Sequence, residues 1–320
     1  MQASRVTTVI AAYNAEQFVE RAIRSALAQT RPPAEILVVD DGSTDSTRER
    51  VSAFGGPVRC IVAHHAGAAA ARNSGIEAAS GEWLAFLDAD DEWLAPHLEL
   101  ALECLARQPE LVWSCAAYAR GPVGGDTQER RPAEARLSDG SSFESYCTIA
   151  RDWTVSMNSL VVRRSIFDEV GGFAPDLVTG EDLDLWFRIA LEHPRIGYVP
   201  QVTSLYWTTP GSLTSRGLDT ASAWAELLGR NAARAAALGP DAEQRSRPLL
   251  LRWACEVIRA AILEGDRAAL SRIPVPLQQA LPARWRALAE LARATPDALR
   301  RGALGLWEAT RSLRGQVRRR

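Results

Sequence analysis

The chain has 320 residues and a formal net charge of −2 at pH 7, with 47% hydrophobic and 24% charged residues, as in ordinary globular proteins. This length is sufficient for two domains, or for one large domain with an extension. All 37 basic residues are arginine, so mechanisms that need a P-loop or Schiff-base lysine are excluded. The chain also lacks a G-x-G-x-x-G sequence, which weakens a dinucleotide-binding interpretation.

The cysteines and the hydropathy pattern predict the compartment. Five cysteines are odd in number, widely spaced and without a C-x-x-C pair. This pattern predicts free thiols in a reducing compartment rather than a disulfide framework or a zinc site. We see no signal peptide, and no uninterrupted apolar stretch reaches about 18 residues. We therefore expect a cytoplasmic protein without a membrane-spanning helix.

Strand and helix signals alternate along the first part of the chain. The predicted strands are Arg5–Ala12, Ile36–Val39, Val58–Val62 and Trp83–Leu87, and the predicted helices are Glu16–Gln29, Arg48–Phe54 and Ala66–Ala79. Alternation of this kind favours right-handed crossovers between parallel strands. The predicted fold class is therefore α/β, with a mainly parallel sheet flanked by helices.

Polar residues follow three of these predicted strands. Tyr13-Asn14 ends the first strand, Asp40-Asp41 the second and Asp88-Ala89-Asp90 the fourth. Because sheets of this class bind ligands beyond the carboxyl ends of their strands, we expect these residues to line one cleft. In the turn after the second strand, Ser43 or Thr44 is expected to cap the next helix.

The acidic end of the fourth strand predicts a metal site. Asp88 and Asp90 can point the same way along an extended chain, whereas Ala89 points away. Two carboxylates on one side suit Mg²⁺ or Mn²⁺, ions that proteins commonly share with substrate phosphates. The alternative is an acidic turn or helix cap leading into Pro96.

A second acidic cluster opens a helix later in the chain. Before it, the pattern predicts a strand at Leu111–Tyr118, a mobile loop at Gly121–Gly140 and a strand at Asn158–Val162. Glu181 and Asp182 then lie at the mouth of a helix whose apolar face is core. Acids in a first helical turn can simply satisfy free backbone amides, and this alternative remains open.

Five motifs, in this order and at this spacing, are similar to those of family-2 glycosyltransferases with the GT-A fold. They span roughly residues 4–215 and are Val9–Asn14, Asp40–Asp45, Gly67–Gly75, Asp88–Asp91 and Gly180–Trp186. The resemblance implies a GT-A, nucleotide-diphospho-sugar transferase-like sheet. It also implies a nucleotide-diphosphate sugar donor, a divalent metal and inversion at the anomeric carbon, in cell-surface polysaccharide or glycolipid synthesis.

The resemblance further implies which residues hold the donor. The backbone near Ala11, the ring of Tyr13 and the carboxylate of Asp41 would hold the nucleoside. Asp40 would be structural or close to the base edge. Arg72 would meet the nucleotide or its diphosphate, since a guanidinium fork suits paired oxygens, and a helix-surface ion pair is the alternative.

The two acidic clusters take the remaining implied roles. Asp88 and Asp90 would hold Mn²⁺ or Mg²⁺ on the diphosphate, with Asp90 as the expected direct ligand, and Ala89 between them would lie near the donor. Asp182 would be the general base that takes the proton of the acceptor hydroxyl. Glu181 would orient the acceptor or the base.

One stretch departs from the family pattern. Family members often carry a basic or histidine-containing stretch where this chain has Tyr206–Thr214, which contains no histidine. This departure supports an alternative function, a catalytically weak nucleotide-sugar-binding scaffold of a glycan assembly complex. A nucleotidyltransferase is a third hypothesis, but Ala12–Ala15 lacks the Gly-rich arginine or lysine signature expected of one.

The charge reverses along the chain. Residues 1–210 carry 18 arginines against 29 acids, a net −11, whereas residues 211–320 carry a net +9. The reversal predicts a boundary near Gly211–Gly217, between a catalytic domain of residues 1–215 and an arginine-rich helical extension of residues 216–320.

The end of the extension has an amphipathic pattern. An apolar stripe at Leu299–Leu313 and the terminal Arg318–Arg320 predict either packing against the catalytic domain or an interfacial helix on an anionic membrane. The second alternative would place the protein peripherally on the inner face of the membrane, near a saccharide or lipid-linked acceptor. Nucleic acid is not an expected partner, since nothing resembles a groove-reading module.

Overall fold

The computed structural model describes residues 5–132, 142–177, 179–208 and 220–294. The described strands are β1 (Val6–Ala12), β2 (Glu35–Asp40), β3 (Val58–Val62), β4 (Trp83–Asp88), β5 (Glu92–Trp93), β6 (Trp113–Pro122), β7 (Gln128–Arg130), β8 (Ser142–Phe143), β9 (Leu160–Arg163) and β10 (Ile196–Thr208). The described helices are α1 (Val19–Leu27), α2 (Thr47–Ser52), α3 (Ala68–Ala78), α4 (His97–Arg107), α5 (Tyr146–Ile149), α6 (Ile166–Val170), α7 (Glu181–Glu192), α8 (Ala221–Ala237), α9 (Pro240–Glu264), α10 (Arg267–Ser271), α11 (Val275–Ala280) and α12 (Ala283–Ala294).

The chain divides into two compact units. The first contains the strands together with α1–α7, and the second contains α8–α12 and the short segment Leu177–Gly180. The predicted boundary near Gly211–Gly217 lies outside the described residues. Across the described ranges, none of the helices is both long enough and apolar enough to span a membrane.

The first unit is built on one mixed sheet, with strand order β3-β2-β1-β4-β9-β6-β10-β5. The strands β3, β2, β1 and β4 are parallel, as their alternation with helices predicts. β9 then enters antiparallel between β4 and β6, and β10 runs parallel to β6. This arrangement of a central sheet flanked by helices confirms the predicted fold class.

The strand register brings the predicted polar strand ends to one edge of the sheet. In β1, Ala11 lies opposite Val39 on one side and Asp88 on the other, and Ala12 lies opposite Asp40. All of β2 is buried, as expected for a parallel strand covered on both faces. The predicted convergence of the strand ends is therefore confirmed.

Helix α3 lies very close to the sheet. A Cβ atom at Gly75 would lie 2.4 Å from Cγ1 of Val9 in β1 and 3.4 Å from Cγ2 of Val39 in β2. Only glycine permits this approach without displacement of the neighbouring strands. The approach places the preceding turn of α3, which carries Arg72, beside the end of β4.

Two local predictions were wrong. Neither Ser43 nor Thr44 caps α2, because the backbone N–H of Thr47 donates to Oδ1 of Asp45 instead. The predicted loop at Gly121–Gly140 contains the end of β6 and the whole of β7, which pairs with Tyr118–Arg120.

Gly121, the first residue of the predicted loop, has a structural role at the end of β6. A Cβ atom at Gly121 would lie 2.4 Å from the carbonyl oxygen of Asp126, so this glycine permits a tight return of the chain. The rest of the predicted loop, residues 133–140, lies outside the described residues.

The second unit is helical over its described residues, which confirms a helical C-terminal extension. The side chain of Thr220 caps α8, Gly265 ends α9 in a left-handed conformation, and Asp266 caps α10. Its core includes Leu228 of α8 and Trp253 of α9, both nearly fully buried. The predicted stripe over residues 299–313 and the terminal arginines lie outside the described residues.

Candidate functional site

The turn after β4 is tight and holds carboxylates of contrasting exposure. The N–H of Asp91 donates to the carbonyl of Asp88 over 3.0 Å. The side chain of Asp88 is 27% exposed, whereas Asp91 is buried. Burial, together with the charges of Asp88 and Asp90, raises the pKa of Asp91 well above its usual range. The turn therefore leaves Asp88 partly exposed and buries Asp91.

Arg72 connects this turn to the start of α7. Its Nη2 donates to Oδ1 of Asp88 over 2.7 Å, and its Nη1 donates to Oε1 of Glu181 over 2.9 Å. The guanidinium also lies over the ring of Phe173, 5.5 Å from its centroid. Burial alone would lower the pKa of Arg72, but Asp88 and Glu181 raise it, so the cation stays charged.

This arrangement refines both interpretations of Arg72. The alternative of an ion pair on the helix surface is wrong about its position, because the side chain is only 9% exposed. The predicted contact with a diphosphate stays a prediction, since both ends of the guanidinium fork are bound to carboxylates in the structure.

The start of α7 holds a carboxyl group whose proton affinity suits a base. Asp182 is partly buried, and its Oδ1 accepts a hydrogen bond from the N–H of Leu183. Burial and the adjacent charge of Glu181 raise the pKa of Asp182 to about 7. Asp184, by contrast, is fully buried and paired with Arg188, which in turn binds the carbonyls of the Gly171-Gly172 turn.

The residues at the end of β4 fit a metal ion that is shared with a substrate. Among the described residues, no group of three or more His, Cys, Asp or Glu side chains is arranged as a complete metal site. One oxygen of Asp88 is engaged by Arg72, and the carboxylate remains partly exposed. Mg²⁺-type sites in proteins often use one or two carboxylates, with phosphate and water completing the shell. Asp88 and Asp90 supply that number.

An aromatic platform, formed by Tyr13 and His65, lies just after the end of β1. The ring of Tyr13 is 47% exposed and stacks on His65, with ring centroids 4.1 Å apart and planes inclined by 20°. Asn14 adopts a left-handed conformation with φ of 46°, and its N–H donates to Oγ of Ser43. The turns after β1 and β2 therefore support each other and hold the Tyr13 ring at the edge.

Asp41 lies beneath this platform. Its carboxylate accepts hydrogen bonds from the N–H groups of Ala66 and Gly67 over 2.8 and 2.9 Å, and from Nδ1 of His65 over 2.9 Å. An ionised carboxylate has about four acceptor positions, so three donors leave about one for a ligand N–H. The role of Asp41 at the nucleoside stays a prediction.

Asp40 has structural contacts. It is fully buried, its Oδ1 accepts the N–H of Ser43, and its Oδ2 accepts both Nε and Nη2 of Arg48. Ala11 and Ala89, also predicted near the donor, lie on β1 opposite Asp88 and in the turn after β4. The structure thus brings these residues to one edge of the sheet, and their individual roles stay predictions.

Sequence reasoning missed His65. The available signal was the His64-His65 pair just after β3, since a third parallel strand also ends at this edge. It also missed Asn73, whose side chain makes two hydrogen bonds of 2.8 Å with the backbone N–H and carbonyl of Phe173. That contact holds the segment before α7 against α3.

The comparisons with known proteins identify the family. Residues 7–171 match the family described as glycosyl transferase family 2, and the chain belongs to it. Over 188 residues it is 36% identical to TuaG of Bacillus subtilis, a putative teichuronic acid biosynthesis glycosyltransferase, covering 58% of this chain and 71% of TuaG. The predicted membership of family-2 glycosyltransferases is therefore confirmed, and the motif Gly180–Trp186 lies beyond the matched residues.

Other relatives are matched over part of their length. Over 104 residues the chain is 39% identical to WfgD of Escherichia coli, a UDP-Glc:alpha-D-GlcNAc-diphosphoundecaprenol beta-1,3-glucosyltransferase, covering 32% of this chain and 41% of WfgD. It spans only about 30% of the length of an uncharacterized glycosyltransferase of Rickettsia felis, at 31% identity over 189 residues, or 58% of this chain.

Solved structures share the fold. The crystal structure of S. aureus TarS 1-349 in complex with UDP-GlcNAc matches with a TM-score of 0.71 at 18% identity, covering 91% of this chain and 87% of that one. The mannosyltransferase PcManGT from Pyrobaculum calidifontis, in complex with GDP-Man and Mn²⁺, matches with a TM-score of 0.55 at 21% identity, covering 95% and 88%. At these identities the likeness concerns the fold.

Replacing Arg72 by methionine should destabilise the first unit by roughly 1–3 kcal/mol, because two carboxylates lose their counter-charge. The expected loss is less than for a fully buried pair, since Asp88 and Glu181 are 27% and 18% exposed. Urea unfolding at pH 8 measures it.

The matched control is Arg107→Met, which breaks an exposed pair with Glu103 and should cost about 0.5 kcal/mol or less. Equal losses in the two variants would contradict the structural importance of the Arg72 contacts.

Proposed function

We propose that the chain is an inverting, metal-dependent glycosyltransferase, which moves a sugar from a nucleotide-diphosphate donor to a hydroxyl acceptor in polysaccharide or glycolipid synthesis. One observation carries the proposal. A single guanidinium, that of Arg72, binds both a carboxylate of the predicted metal turn and a carboxylate beside the predicted base. Groups needed for leaving-group stabilisation and for deprotonation therefore lie within one side chain's reach.

On the donor side, Asp88 and Asp90 would hold a divalent ion together with the diphosphate. Such an ion supplies stabilisation of the negative charge that develops on the leaving phosphate. Arg72 would exchange its contact with Asp88 for the diphosphate oxygens, since its planar fork matches either partner. The Tyr13 ring would stack on the base, and Asp41 would accept one N–H from it.

On the acceptor side, Asp182 would act as the general base. The acceptor oxygen forms a bond to the anomeric carbon, the bond from that carbon to the diphosphate oxygen breaks, and the hydroxyl proton passes to the Asp182 carboxylate. A base with a pKa near the working pH is effective in such a transfer. Glu181, held by Arg72, would orient the acceptor or the base.

The donor and acceptor classes rest on the relatives. The fold neighbours were solved with UDP-GlcNAc and with GDP-Man, so the donor is proposed as a nucleotide sugar with the nucleotide left open. The name of WfgD specifies a diphosphoundecaprenol-linked acceptor, which supports a lipid-linked saccharide here. We propose a cytoplasmic protein with peripheral contact to an anionic membrane.

The direct test is a screen of UDP- and GDP-sugars for hydrolysis and thermal stabilisation, with and without Mn²⁺. Metal-dependent stabilisation and slow hydrolysis of one donor are expected. Binding of a nucleotide sugar with neither hydrolysis nor transfer to a saccharide or lipid-linked acceptor would instead support the scaffold alternative.

Replacing Asp90 by alanine should abolish Mn²⁺-dependent binding of a nucleoside diphosphate while leaving the fold intact. Asp90 lies in a turn at the sheet edge rather than in the apolar core, so a ligand is lost rather than packing. Calorimetric titration of UDP and GDP with and without Mn²⁺ measures the effect. Glu103→Gln, which alters an exposed acid of α4, is the control. Unchanged metal-dependent affinity in Asp90→Ala would remove the metal assignment.

Replacing Asp182 by asparagine should keep donor binding and lower kcat by about 100-fold or more, the loss expected for a general base. Because burial raises the pKa of Asp182 to about 7, the wild-type kcat/KM should fall as the pH drops below that value. The residual activity of the variant should not show this acid limb. Near-normal turnover would mean that another group accepts the proton.

The membrane proposal predicts salt-sensitive binding of the full chain to vesicles that contain phosphatidylglycerol. Exposed charges are screened within about 10 Å at 0.1 M salt, so binding should weaken between about 0.05 and 0.5 M NaCl. Replacing Arg318, Arg319 and Arg320 by glutamine should reduce it. Glutamine at Arg107, Arg130 and Arg131 of the first unit is the control. Equal binding by both variants in co-sedimentation would favour packing of the tail against protein.

A further inference from the structure

The turn after β4 is attached to the far end of β10 by a buried carboxylate. Asp91 is 1% exposed. Its Oδ1 accepts the backbone N–H of Trp207 over 2.8 Å, and its Oδ2 accepts Nδ2–H of Asn158 over 2.7 Å. None of the roles proposed above for the site uses this residue. It joins segments that are 116 residues apart in the chain.

Asn158 extends the connection to three elements. It is fully buried, and its Oδ1 accepts the hydroxyl of Ser204 in β10 over 3.2 Å. Its backbone carbonyl accepts Nε1–H of Trp93 in β5 over 2.7 Å. The amide therefore has a fixed orientation, with its oxygen toward Ser204 and its NH₂ group toward Asp91. That orientation requires an acceptor at residue 91.

Arg21 makes a second, independent connection between the turn after β4 and the end of β10. From α1, its Nη2 donates to the backbone carbonyl of Asp90. Its guanidinium also lies 5.7 Å from the centroid of the Trp207 ring. The backbone of the predicted metal ligand and the end of β10 are thus joined by a carboxylate on one side and a cation on the other.

We infer that Asp91 is a positioning residue, which fixes the Asp88–Asp90 turn against the end of β10 so that the turn has its ligand-binding geometry before the donor arrives. This inference rests on the proposed function and specifies how its donor subsite is held. Outer partners of metal ligands commonly change metal affinity by about 10- to 100-fold when they are replaced. Asp91 acts through the backbone of its neighbours and does not itself touch the donor.

The variants proposed here test the direction of the hydrogen bond between the side chains of Asn158 and Asp91. Asp91→Asn can still accept from Trp207, but its NH₂ group then faces the NH₂ group of Asn158. Adding Asn158→Asp restores a donor–acceptor pair and moves the charge by one side chain. Glu35→Gln is the matched control, because Glu35 is a buried carboxylate at the opposite end of β2 that accepts from Thr7 and Ser80.

Two measurements are made on the full chain with UDP, and with GDP in parallel. The first is the Mn²⁺ concentration that half-saturates nucleotide binding, and the second is hydrogen exchange over Ser204–Trp207. Asp91→Asn should raise the half-saturating Mn²⁺ concentration by about tenfold or more, and it should speed hydrogen exchange over Ser204–Trp207. The double variant should return to within about threefold of wild type, and Glu35→Gln should leave both unchanged.

The outcomes separate the inference from the proposed function. Wild-type Mn²⁺ dependence in Asp91→Asn, or an equal change in Glu35→Gln, would overturn the inference while leaving the function standing. A wild-type chain that binds neither nucleotide with Mn²⁺ would count against the proposed glycosyltransferase function. Hydrogen exchange at Trp207 would still test whether Asp91 holds the end of β10. If Asp91→Asn does not fold, Arg21→Met removes the second connection. It should raise the Mn²⁺ requirement by about threefold or more, and no rise would overturn the inference.

Discussion

The site depends on the guanidinium of Arg72. A buried cation must be neutralised, and here two carboxylates from distant parts of the chain do so, Asp88 at the end of β4 and Glu181 at the start of α7. Removing the cation leaves both carboxylates without their counter-charge. This requirement aligns α3, β4 and α7 more strictly than apolar packing could, because a charged fork accepts only a narrow range of partner positions.

The parallel sheet supplies the frame in which that triad becomes a site. β1 lies between β2 and β4, so the residues that follow these strands emerge side by side. On one flank, the stacked rings of Tyr13 and His65 offer a flat surface above Asp41. On the other flank lie the acidic turn and α7. An elongated ligand with a planar group at one end and a diphosphate in the middle matches this order.

The sequence predicted those features that depend on residues close together in the chain. The alternation of apolar runs and helices predicted the parallel half of the sheet, and the polar residues after Leu87 and Val39 predicted its functional edge. The partners of Arg72 were not predictable in this way, since Glu181 is 109 residues away and no periodicity connects them. The contacts of Asp91 were not predictable for the same reason, since its partners Asn158 and Trp207 are 67 and 116 residues away.

Two glycines also have roles that the sequence alone does not specify. Gly121 appeared to mark a loop, yet its lack of a side chain permits a close return of the chain within the sheet. Gly75 ends one of the five sequence motifs, yet only the fold shows that the close approach of α3 to β1 depends on it. A glycine in a sequence shows that space or backbone freedom is needed, and only the fold shows which.

The most direct test of the account is a crystal structure of the chain with Mn²⁺ and the nucleoside diphosphate that binds it, with the metal located by anomalous scattering. The account predicts a manganese peak in contact with Asp90 or Asp88 and with the diphosphate. It also predicts that Arg72 has turned from Asp88 to phosphate oxygen and that the base lies on Tyr13. A manganese peak away from the turn after β4, or a nucleotide bound elsewhere while Arg72 keeps both carboxylates, would contradict it.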